Sequence, residues 1–248
     1  MVLVASPTEI TTSATDAVLA IECVVVLAYL WRTPTGDRWR IGLWCWVFGL
    51  LAFASFLGFV AHGVAMPQSL RAVLWKPLNM SLGLLVALFL VGAFFDGHGR
   101  VVARRLVPWS IGLGGLFFGL TEFLNQGFII FVVYEAAAMA SALAIYSFLE
   151  ATHRLKGAGI VVTAILLNLA AAVVQASSMS FTILVPFDHN GVFHLIQMLA
   201  IAALGLGLQI GMNPDAKRVI SEPGGAANGS QPILSETHRT LSVAGSRR

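Results

Sequence analysis

Three histidines in this chain have the residue type and placement for metal or proton chemistry. His62 closes one apolar run, and His189 and His194 open another within the stretch FDHNGVFHLIQ. Imidazole is the commonest metal ligand and a proton shuttle near neutral pH. Three histidines and a water make a familiar catalytic zinc shell, with the fourth position open to activated solvent. Two ligands on one helical face prefer i, i+4, whereas His189 and His194 are i, i+5, so they converge only if His189 precedes the first helical turn. Asp188 and Asn190 are candidate caps for that turn, and Pro186 suits the approach to it.

Carboxylates and amides cluster at the same level. Glu122, Asn125 and Gln126 fall at i, i+3 and i+4 on one face of their segment. Asn79 lies near the start of another segment, Gln175 near the end of a third, and Asn190 and Gln197 beside the histidines. Glu122 is the candidate general base, and Asn79 the candidate oxyanion donor. Asn125, Gln126, Gln175, Asn190, Gln197 and Glu135 are candidate substrate contacts. Glu22 and Glu135 also lie inside apolar runs, where an ionisable group normally faces a cavity or a partner. Lys76 is the nearest cation to these acids. For Asn79, Asn168 and Ser178 the simpler reading is hydrogen bonding between helices.

The elements that must position these groups follow from composition. Of 248 residues, 57% are hydrophobic and 11% charged, against about 25% charged in a soluble domain. The apolar runs are long enough to cross a bilayer as helices and lack the alternation of barrel strands. The sequence predicts an all-α bundle of seven transmembrane helices over residues 15 to 31, 41 to 63, 72 to 95, 107 to 125, 128 to 149, 158 to 183 and 191 to 211. Residues 1 to 14 form an extracytoplasmic segment, and residues 212 to 248, rich in Pro, Gly, Ser and Asn, a disordered cytoplasmic tail. No cleaved signal peptide is expected.

Thirteen of the fifteen basic residues lie in alternate connections, and only Arg71 and Lys76 lie in the others. The positive-inside rule then sets the N-terminus outside and the C-terminus in the cytoplasm, in a bacterial inner membrane. The net charge of +3 reflects that rule and gives no reason to expect nucleic acid. Membrane lipid, or a lipid or other small-molecule ligand, is the expected partner. Trp31, Trp39, Trp44, Trp46 and Trp109 are expected at the cytoplasmic interface. Cys23 and Cys45 are expected to be free. Gly115 with Gly119, and Gly207 with Gly211, are expected to bring helices close within the bundle.

A seven-span chain with a histidine ending span 2 and a histidine pair opening span 7 resembles the CREST superfamily of membrane hydrolases, which includes alkaline ceramidases and the progestin and adipoQ receptors. The resemblance covers residues 15 to 211. It implies zinc on His62, His194 and, by adjustment, His189, and hydrolysis of a lipid amide or ester by zinc-bound water. The family's Ser-xxx-His places a serine four residues before the span 2 histidine, where this chain has Gly58. The family's Asp at the start of span 3 has no counterpart in RAVLWKPLNMS, where Asn79 is nearest, and Asn190 stands where the first histidine of His-xxx-His would be.

A non-enzymatic receptor, sensor or accessory protein with an outward-facing ligand cavity is the alternative those departures favour. A proton-coupled transporter would need polar groups through the midplane, and the inner halves of the runs are nearly bare. A retinal protein would need a lysine in span 7, and residues 191 to 211 contain none.

Overall fold

A computed structural model describes residues 2–34, 37–124, 127–182 and 184–212. Seven helices account for nearly all of it: α1 Pro7–Trp31, α2 Arg38–Gly63, α3 Gln68–His98, α4 Arg100–Phe123, α5 Gly127–Ala151, α6 Ala158–Gln175 and α7 His189–Met212. Each is long and apolar enough to cross a membrane, the make-up of an integral multi-pass membrane protein. The expected tail falls outside the described residues.

Six of the helices close a ring. α1 packs on α2, α2 on α3, α3 on α5, α5 on α6, α6 on α7, and α7 on α1 again. α4 lies outside this ring, against α3 and α5. The ring interior holds the main core, with Leu19, Cys23, Trp44, Phe48, Phe89, Tyr146, Ile165 and Leu208 all buried. Large apolar side chains such as Ile21, Val25, Trp109, Leu116, Val173 and Leu199 are exposed on the outer faces. This inversion is expected where hydrocarbon, not water, surrounds the bundle.

Helix ends explain most differences from the predicted spans. α1 starts at Pro7, well before residue 15, because Ser6-Pro7 is an N-cap followed by a proline in the first turn, where its missing N–H costs nothing. The chain before it is also structured: Val4 N donates to Gly63 O at 3.2 Å, and Ala65 N donates to Val2 O at 2.9 Å. α6 stops at Gln175, and an antiparallel pair follows, β1 Phe181–Thr182 on β2 Pro186–Phe187. Ser178 is therefore outside any helix, a correction to the predicted span 6.

Trp44 is fully buried rather than interfacial. Its ring meets Phe89 edge-on at 5.6 Å between centroids, and a Cβ on Gly92 would lie 2.6 Å from it. Trp31, Trp46 and Trp109 are exposed. Both cysteines are free. Gly207 packs against Val161 and the Gly157 carbonyl, and Gly211 against the Lys156 carbonyl, whereas a Cβ on Gly115 or Gly119 would meet nothing. Only the α7 pair therefore serves close packing within the bundle.

Candidate functional site

The first turns of α1 carry a polar face, of which the predicted span 1 took in only Thr15 and Asp16. Thr12, Ser13, Thr15 and Asp16 are all buried, spaced so that 12, 15 and 16 share one side of the helix. They are buried because α2 offers bare backbone beneath them. Ser13 Oγ donates to Phe59 O at 2.9 Å, with Gly63 directly under it. A Cβ on Gly58 would lie 2.7 Å from Asp16 Oδ2. Glycine at 58 is thus what admits the Asp16 carboxyl. Where the CREST pattern has a serine side chain four residues before the histidine, this chain has room for a carboxylate from another helix.

Asp16 faces His194, with Nε2 to Oδ1 at 3.4 Å. The other ring nitrogen of His194, Nδ1, is 2.9 Å from Thr15 Oγ1. Thr15 donates its hydroxyl proton to the Thr12 carbonyl at 2.8 Å, so it is placed to accept from Nδ1–H. Nε2 and the Asp16 carboxyl are then left to share whatever proton the pair carries. Asp188 ties the same corner together. Its Oδ1 accepts from Gly191 N at 2.9 Å, capping α7, and from Thr12 Oγ1 at 3.1 Å. The expected cap at Asp188 is therefore present, and His189 is the first residue of α7, not a residue ahead of it.

His62 makes a separate pair. Its Nδ1 lies 2.7 Å from Glu9 Oε2, and its ring sits edge-on to Trp75 at 5.8 Å. Among the described residues no group of three or more His, Cys, Asp or Glu side chains is arranged to hold one metal ion. The physical reason lies in the partners: His194 has a neighbour at each nitrogen on α1, and His62 is turned toward Glu9. The residues as placed do not fit a three-histidine zinc shell.

Behind these groups is a cavity of about 770 Å³ inside the ring of six helices. Asp16, His62, Asn79, Gln175, His189, Asn190, His194 and Gln197 reach it, all near one end of the bundle. Its walls are mainly apolar, with Leu51, Val86, Phe89, Phe131, Met139 and Ile165 among them. Glu135 also lines it, with Oε1 accepting from Asn168 Nδ2 at 2.8 Å. The expected role of Asn168 as a bond between helices holds, and its partner is an acid of the cavity wall.

Glu122 does not belong to this site. α4 contributes no lining residue, because it packs outside the ring, and Glu122 Oε2 pairs with Lys76 Nζ at 2.9 Å. Its reading as the base beside the histidines is corrected on that ground. Glu22 is half-buried on α1 and does not line the cavity. Asn125 and Gln126 lie outside the described residues. Asp16 and Glu9 are the functional candidates that spacing in the sequence had not supplied. Their signal was Ser6-Pro7-Thr8-Glu9, a helix start with an acid at the third helical position.

The opposite end of the bundle holds a second buried polar group. Arg40 Nε lies 2.7 Å from Asp96 Oδ1, Tyr146 OH donates to Asp96 Oδ2 at 2.8 Å, and an Arg40 terminal nitrogen donates to Gly211 O at 2.9 Å. α2, α3, α5 and α7 meet there.

Fold and site together define a class: a seven-helix membrane protein with an internal cavity that is polar at its mouth and apolar at depth. Within that class, the chain belongs to the DUF6962 family, a family of unknown function, whose model matches residues 11–213. No curated protein and no solved structure matches the chain.

Proposed function

We propose that this chain is a membrane-embedded binding protein, of the receptor or sensor kind, for an apolar small molecule or lipid that enters the ring of helices past Asp16, His62 and His194. The observation that carries this reading is the cavity itself. Its volume, about 770 Å³, falls within the usual range of small-molecule sites, roughly 300–1,000 Å³. Apolar walls with a few convergent polar groups are also the usual make-up of such sites. With thirteen of fifteen basic residues in alternate connections, the mouth faces outward and the C-terminus lies in the cytoplasm of a bacterial inner-membrane protein.

The test is native mass spectrometry of the protein released from a neutral detergent. An apolar adduct in one-to-one ratio is the expected result, with its loss in Ala164→Trp, which fills the cavity while leaving the mouth intact. An adduct of the same abundance in that variant would show that the molecule binds elsewhere, and would sink the reading.

Hydrolysis of a lipid amide or ester with zinc is the second reading, supported by three histidines and Asp16 bordering one cavity. The pairing of His62 with Glu9, and of His194 with Asp16 and Thr15, stands against it. Stoichiometric zinc in the purified protein, lost in both His62→Ala and His194→Ala, would bring this reading forward.

A further inference from the structure

The acid at depth in the cavity has fewer partners than its position requires. Glu135 is only 6% exposed, and its carboxyl accepts one hydrogen bond, from Asn168. Of the two acids lining the cavity, Asp16 has His194 opposite it, whereas Glu135 has no basic partner among the described residues. Among the described residues no lysine or arginine reaches the cavity wall. A buried carboxylate is normally matched by a cation or by several donors, and here the protein supplies a single amide.

Glu135 is placed on the cavity wall itself. Phe131, Glu135 and Met139 all line the cavity, one turn apart on the same stripe of α5. Glu135 is eight residues into α5, about 12 Å along it at the usual helical rise. On α7 the lining runs from His189 to Leu204, a depth of about 22 Å by the same rise. The carboxylate therefore sits partway down, with apolar wall beyond it and an aromatic ring beside it. Aromatic faces and carboxylates both favour cations.

We infer that the cavity binds a lipophilic amine, whose protonated nitrogen meets Glu135 and whose apolar body fills the space lined by Phe48, Val86, Phe89, Met139 and Ile165. This assignment rests on the binding reading above and gives it a ligand class. Asn168 is then a positioning residue that holds one carboxylate oxygen and leaves the other for the nitrogen.

Hexadecylamine, hexadecanol and hexadecanoate share a chain length and differ at the head, so together they isolate the charge. Each is titrated into the wild-type protein in a neutral detergent, with one-to-one adducts counted by native mass spectrometry and the unfolding temperature followed in parallel. The expected result is a hexadecylamine adduct and a raised unfolding temperature, with the alcohol and the fatty acid bound at least about tenfold more weakly, the equivalent of one charge-assisted hydrogen bond. Glu135→Gln, near-isosteric and still able to accept from Asn168, should lose that preference. If all three compounds bind alike, the amine assignment is overturned while a binding cavity stands. If none binds, the amine assignment falls, and the binding reading is decided separately by the adduct and its loss in Ala164→Trp. An amine preference that survives in Glu135→Gln also overturns the assignment, since the charge would then be met elsewhere. The wild-type ranking decides the matter even where the variant fails to fold.

Discussion

The two ends of the bundle use similar residues to opposite effect. At one end Arg40, Asp96, Tyr146 and the Gly211 carbonyl meet head to head, and four helices are drawn onto one another. At the other, Asp16, His194, His62 and Glu9 pair off along the rim of a cavity, and the helices stand apart below them. The difference lies in what surrounds the charges. Around Arg40 the ring of Phe95 and the small Gly211 leave no space. The cavity wall includes Ala54, Ser55, Ala164 and Ala200, side chains too short to reach across it. Ionic groups seal a bundle where bulk fills in behind them, and border an opening where it does not.

The sharpest way to break this contrast is at the closed end. Asp96→Ala leaves Arg40 buried without its carboxylate and should cost about 3–5 kcal/mol, read as a large fall in unfolding temperature in detergent. The paired change Arg40→Met with Asp96→Leu should recover most of that loss, since neither charge is then stranded. A small effect of Asp96→Ala alone would mean that the closed end is not the lock described.

Gly58→Val tests the mouth. Its side chain must displace the Asp16 carboxyl, so a cost of about 1–3 kcal/mol is expected, together with weaker capture of any cavity ligand. A loss as large as that of Asp96→Ala would erase the distinction between the ends. Thr12→Val removes one of the two hydrogen bonds to Asp188 and leaves the cap to Gly191 N, so about 1 kcal/mol is expected. Smallest of all is Glu122→Gln, outside the ring on α4, where an exposed ion pair contributes about 0–1 kcal/mol. Ligand binding should be unchanged there, and a marked loss would return Glu122 to the site.

The number of helices and their rough extents were legible because length and hydropathy are local properties of the chain. Glycine and proline marked the breaks. The rim was half legible: His62, His189 and His194 were visible as a level of imidazoles, but the partners of His62 and His194 lay on α1. Glu9 and Thr12 fell before the apolar run and read as a leading segment, since the eye follows hydrophobicity and the helix follows its cap at Ser6-Pro7. The exclusion of α4 from the ring could not be read, because nothing local to residues 100–123 says which neighbours it will have. Trp44 was misplaced for a related reason. An indole suits both an interface and a core, and only Gly92 on the facing helix, leaving a ring-sized gap, decides between them.

The short backbone pairing of residues 2–4 with residues 63–65 has a mechanical implication. α1 and α2 are joined covalently at one end through residues 32–37 and stitched at the other by Val4 to Gly63 and Ala65 to Val2. That makes a loop fastened at both ends, which resists splaying far better than a simple hairpin. Any breathing that admits a guest would then have to come from the opposite flank of the ring, where α5 packs on α3 and α6.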